Sequence, residues 1–139
     1  MELGKVPPHD IEAEQAVLGS MLTDKDAVIS AIEVLKEEDF YRTDNRAIYE
    51  AILNLYNRAE PIDIITVKSE LESIGKFEQV GGLTYLVSLP DKVPTTANAM
   101  KYIKIVEEKS TLRSLIKTAN EIIELGYDPT EDVEDIMEG

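Results

Sequence analysis

Between Pro94 and Gly126 the sequence holds neither proline nor glycine, and the stretch from about Thr96 to Leu125 reads as one unbroken helix. Roughly 30 residues at about 1.5 Å each run on the order of 45 Å, longer than a small globular domain is wide. Its C-terminal half is therefore expected to project. One apolar stripe, Tyr102, Ile105, Lys109, Leu112, Ile116, Ala119 and Ile123, advances in alternating steps of three and four, and only Lys109 breaks it. Leu115 and Ile122 lie beside that stripe and widen the apolar surface beyond what one neighbouring helix covers. They are expected to meet another chain, because a helix outside the body has few intrachain atoms to bury against.

The remaining sequence supplies the body. With 139 residues the chain suffices for one domain with a core, but not for two of ordinary size. Residues 1–95 are expected to form a globular helical body, and residues 96–139 a long helix followed by the start of a second. Asp10, after Pro7 and Pro8, is placed to cap a helix through IEAEQAVLGSML, with Glu12 and Glu14 at its positive end. Thr23 and Asp26 resemble a capping box before Ala27, Val28, Ala31, Ile32 and Leu35. A third helix from Asp44 carries Ala47, Ile48, Ala51, Ile52, Leu55 and Tyr56. A fourth, with Thr66 as cap, turns Val67, Leu71 and Ile74 inward and ends at Gly75.

Gly81 and Gly82 open a fifth helix with Leu83, Leu86 and Leu89, which Pro90 terminates. Tyr85 falls on its flank, out of step with those leucines. Gly126 is expected as a left-handed cap of the long helix, and Asp128 with Pro129 to begin a short one carrying Val133, Ile136 and Met137. PIDIIT is the best strand candidate, and it is brief. The expected fold is all-α: a compact bundle of about five to six helices followed by a projecting, C-terminally truncated helical hairpin.

Composition narrows the function. No basic-then-apolar segment opens the chain and no apolar run could span a bilayer, so neither a signal peptide nor a membrane partner is expected. The absence of cysteine excludes disulfides and thiolate metal sites, and is compatible with a reducing cytoplasm. A net charge of -14, from 28 acidic and 14 basic residues, repels phosphate backbones. Direct DNA binding is expected to be weak or absent, since Arg113 with Lys117 is the nearest approach to a basic cluster.

No phosphate loop GxxxxGK[ST] and no GxGxxG occurs. His9 is the sole histidine, and one imidazole beside Asp10, Glu12 and Glu14 does not make a transition-metal site. Adjacent carboxylates such as Glu37 with Glu38, or Glu107 with Glu108, do not face each other on a helix. Ser110 and Ser114 lack a histidine base. An active site, a cofactor or a metal within this chain is not expected.

Five segments in order, PPHDIEAEQAVLG (Pro7–Gly19), DFYRTDNRAIYEAI (Asp39–Ile52), PIDIITVKSEL (Pro61–Leu71), GGLTYL (Gly81–Leu86) and VPTTANAMKYIKIVEEKSTLRSLI (Val93–Ile116), resemble the N-terminal domain of the bacterial replicative DNA helicase, the DnaB family. The resemblance implies an all-α body and a helical hairpin. It implies that hairpins of two subunits pair, that three pairs build a collar on a hexameric ring, and that primase docks on this collar. A helicase loader is a further implied partner, and the bacterial cytoplasm the implied setting.

ATP and Mg²⁺ are implied only for a RecA-like motor, an ATP-dependent 5'-3' helicase, absent from this chain. The implied function is non-catalytic oligomerisation and primase docking; the alternative is a stand-alone collar-like regulator of helicase assembly. The first stripe is expected to pair the hairpin helices and the second to serve a neighbouring subunit or primase. By the family's GGxxYL and EEKSxLRxLI motifs, Tyr85, Ile116 and Ile122 are assigned to the subunit or primase interface. Tyr102, Ile105, Leu112, Leu115, Ala119 and Ile123 complete it. Two departures stand out: Asn45 replaces a histidine common in the family and is expected to cap or support a helix, and the family's hairpin continues beyond residue 139.

Overall fold

A computed structural model of the chain describes residues 5–127, and among them every regular element is helical. The α-helices are α1 (Ile11–Thr23), α2 (Lys25–Val34), α3 (Thr43–Asn57), α4 (Ile64–Ser73), α5 (Gly82–Ser88) and α6 (Ala99–Tyr127). Short 3-10 turns lie at Glu37–Asp39, Pro90–Lys92 and Thr96–Asn98. The expected short helix carrying Val133, Ile136 and Met137 lies outside the described residues.

Local chemistry sets the ends of these helices. Asp10 accepts a hydrogen bond from the Ala13 N–H at 3.0 Å and caps α1. The start of α2 falls one residue later than expected. Asp24 leaves the helical region (φ -137°, ψ 116°) and its carboxylate accepts from the Asp26 N–H at 2.9 Å, while Thr23 ends α1 with its hydroxyl turned back to the Gly19 carbonyl. In α4 the cap is Asp63, and Thr66 is its reciprocal partner, each side chain accepting the other's backbone N–H at 2.9 Å. The strand candidate PIDIIT is therefore the approach to this box and the first turn of α4.

Gly75, at φ +72°, closes α4 by a Schellman pattern, with its own N–H on the Glu72 carbonyl and that of Lys76 on Leu71. The end of α3 repeats it with Ala59 at φ +57°, the one described non-glycine residue held there. Gly126 does not cap α6: the helix runs through it to Tyr127 without a positive φ. Permissive backbone allows a helix to stop but does not oblige it to.

At the centre, α1 packs on α2, α3, α6 and the Pro90–Lys92 turn, and α3 on α4. Leu18, Ile48, Ile52, Leu71, Leu86 and Leu89 are fully buried there, whereas Leu83, at the left-handed start of α5, is exposed. Gly19 permits the closest crossing, because a Cβ on it would lie 2.2 Å from the Leu89 carbonyl oxygen. Phe40 and Tyr49 pack their rings 4.8 Å apart, and the Tyr49 hydroxyl donates to the Leu35 carbonyl at 2.8 Å, satisfying the end of α2. Burial pushes the Tyr49 phenol well above its ordinary pKa.

The core continues past residue 95. Ala99, Ile103, Val106 and Ser110 of α6 are buried, with Ile103 and Val106 inside the main cluster. The first half of the long helix thus belongs to the body, and the second extends beyond it.

Candidate interaction surface

In α6 the apolar surface changes sides. At 100° per residue, Ala99, Ile103, Val106 and Ser110 share a narrow stripe directed at the body. The positions continuing that stripe, Lys117, Glu121 and Glu124, are exposed and charged. Leu112, Leu115, Ile116, Ala119, Ile122 and Ile123 instead gather about half a turn away, on the opposite side. All six are exposed, with Leu115 at 61% and Ile122 at 59%. The helix thus turns one side to its own core and, among the described residues, leaves the other an exposed apolar face.

The remaining residues of the expected interface lie elsewhere. Tyr102 and Ile105 are half-buried and pack against the core cluster; Tyr102 flanks the body-facing stripe, whereas Ile105 falls in line with Leu112 and Ile123 but lies close enough to the body to be partly covered. Tyr85 is half-buried, and its hydroxyl donates to the side-chain oxygen of Asn45 at 2.6 Å while accepting from Gln15 at 3.3 Å. The Arg42 guanidinium sits over its ring, 5.4 Å from the centroid. Burial raises the Tyr85 phenol above its ordinary pKa.

Behind Tyr85 stands a buried polar network that helical periodicity does not reveal. Asn45, fully buried, donates to Glu14 at 2.9 Å; Glu14, only 1% exposed, also accepts the backbone N–H groups of Tyr41 and Arg42. Glu14, placed by sequence at the favourable end of α1, thereby pins α1 to the start of α3. Asn45 supports that junction from inside the fold rather than from a solvent-facing cap. Neighbours in sequence mark neither residue: Asn45 stands between Asp44 and Arg46, and Glu14 between Ala13 and Gln15.

A second group gathers where α6 leaves the body. Ser110 donates to Asp39 Oδ1 at 2.6 Å, and Arg113 donates to the carbonyls of Pro8 and Asp39 at 2.8 and 2.7 Å. His9 stacks on Tyr41 with ring centroids 4.3 Å apart. No group of three or more His, Cys, Asp or Glu that could hold a metal occurs among the described residues.

Residues 6–108 match the family described as the DnaB-like helicase N terminal domain. The chain belongs to that family. It is 49% identical over 133 residues to the replicative DNA helicase DnaC of Bacillus subtilis, and 45% identical over 134 residues to the replicative DNA helicase DnaB of Geobacillus stearothermophilus. These matches cover 96% of the chain but 29% and 30% of those relatives, so the chain spans less than a third of their length.

The crystal structure of the N-terminal domain of DnaB helicase from Mycobacterium tuberculosis superposes with a TM-score of 0.88 at 44% identity, covering 95% of this chain and 96% of that one. The structure of a DnaB-like replicative helicase and its interactions with primase superposes at 0.75 with 28% identity, covering 92% of this chain and 31% of that one. The all-helical architecture is that of the DnaB N-terminal domain. The family match ends inside α6, just before Ser110, so the exposed apolar face lies beyond it.

Proposed function

We propose that this chain is the non-catalytic collar module of a replicative DNA helicase. It assembles by laying the exposed face of α6 against a neighbouring copy, and it offers part of that surface to primase. The observation carrying this reading is the row of six exposed apolar residues from Leu112 to Ile123 on the side of α6 away from the body. Family membership and a solved relative described with primase support it. On this reading, ATP and Mg²⁺ serve a motor domain in the full-length protein, which unwinds duplex DNA in the bacterial cytoplasm.

A helicase loader is a further partner of the same assembly. Direct contact with DNA contributes little, because a net charge of -14 opposes a phosphate backbone. Titration of the chain with purified primase, followed by fluorescence anisotropy, tests the docking. Ile116→Asp and Ile122→Asp should each weaken binding by roughly tenfold or more, since an aliphatic side chain buried at the contact contributes about 1.5 to 3 kcal/mol. Unchanged binding in both variants, with the body folded, removes primase from this surface.

A further inference from the structure

We infer, resting on the interface proposed above, that Arg113 is a positioning residue: it fixes the direction in which the apolar half of α6 leaves the body, and it does so through the N-terminal arm. Its two terminal nitrogens hold the carbonyls of Pro8 and Asp39, which lie 105 and 74 positions away in the chain. A planar guanidinium bonded at two points is fixed in rotation as well as in place. The Tyr41 ring lies 5.5 Å from the guanidinium, and His9 stacks on Tyr41, so the arm is held at Pro8 by Arg113 and at His9 by Tyr41. One turn earlier, Ser110 grips Asp39 Oδ1. The 3-10 turn Glu37–Asp39 therefore takes hold of α6 at two successive turns.

Beyond Arg113, no side-chain hydrogen bond ties α6 to the body among the described residues, and Ser114 to Ala119 are all exposed. A tilt of 10° about Arg113 would carry Leu125, twelve residues and about 18 Å further along, through about 3 Å. Packed apolar faces lose their contacts over such a distance. The contact at Arg113 thereby sets the geometry in which two copies meet, and the arm becomes a component of the assembly surface without lying in it.

The chain has no cysteine, so two spin labels can be placed by Glu33→Cys on α2 and Glu124→Cys on α6, both exposed positions. Dilution with unlabelled chain isolates the distance within one molecule. A narrow distance distribution is expected in this background. Arg113→Ala should broaden it by several ångström, and Arg113→Lys, which reaches one carbonyl at a time, should fall between. His9→Ala should broaden it in the same sense, and the double variant should be no broader than Arg113→Ala alone, because both act on one contact. If Arg113→Ala lowers the melting temperature while the distribution stays narrow, Arg113 merely stabilises the body and the inference is overturned. If the distribution broadens but self-association is unchanged, the positioning role stands and the proposed interface falls.

Discussion

The hydroxyl of Tyr85 and the side-chain oxygen of Asn45 lie 2.6 Å apart, joining α5 to the buried start of α3 across forty positions of sequence. Asn45 passes the contact on to Glu14, a carboxylate that is 1% exposed. Removing the hydroxyl in Tyr85→Phe leaves a buried acceptor without its donor, which costs about 1 to 3 kcal/mol. Chemical denaturation should show that loss of stability. An equally stable variant would mean that water replaces the phenol and that α5 is not held through this bond.

Gly19 crosses the Pro90–Lys92 region closely enough that a methyl group would meet the Leu89 carbonyl oxygen at 2.2 Å and its carbon at 2.8 Å. Backbone atoms cannot move aside as a flexible side chain can. Although alanine is the better helix former, Gly19→Ala should destabilise the chain by about 1 to 3 kcal/mol through overpacking, which outweighs the roughly 1 kcal/mol gained in propensity. Thermal unfolding of the variant measures the sign; an increase in melting temperature would refute the close crossing.

Glu70 is buried against α3 and bonds the Arg58 guanidinium at 2.6 Å and the Asn54 amide at 3.0 Å. The Arg58 hydrogen bond, with a smaller contribution from Asn54, holds the Glu70 carboxyl below its ordinary 4.5, against the opposing effect of burial. A carboxylate depressed on folding contributes stability that is present above the unfolded pKa and lost as pH falls through the folded one. Glu70→Gln should therefore be less stable than the parent at neutral pH, with the difference shrinking as the solution is acidified below about 4.5. Denaturant midpoints at pH 7 and pH 3 decide this, and a difference that grows on acidification would contradict it.

Much of this architecture is written in local chemistry. Asp10 caps α1 and Gly75 closes α4 as their residue types require, and the long helix follows from a run without glycine or proline. What periodicity leaves unsaid is which of several apolar stripes on α6 meets the body. Ile103 and Val106 are as apolar as Ile105 and Leu112, and only the tertiary placement of α1, α2 and the Glu37–Asp39 turn selects them. Gly126 shows the converse limit, since the same residue type that ends α4 is carried within α6.

Glu14 and Arg113 were the least legible. A glutamate in the first turn of a helix is ordinarily solvated and favourable there, and nothing in its neighbours announces that the chain 27 and 28 residues later will fold its backbone N–H groups onto it. Arg113, four positions before Lys117, suggests a small basic cluster, yet its guanidinium is committed to two backbone carbonyls. In both residues the partner is set by tertiary placement, which spacing along the chain does not encode.

The central claim, that the exposed side of α6 is where copies of this chain meet, is tested most directly by sedimentation equilibrium over a wide concentration range, comparing the parent with Leu115→Asp and Ile122→Asp. The account predicts reversible self-association of the parent, weakened at least tenfold in each variant, with the body remaining folded by circular dichroism. Parent and variants associating with equal strength would contradict it, as would a parent that remains strictly monomeric at the highest concentration reached.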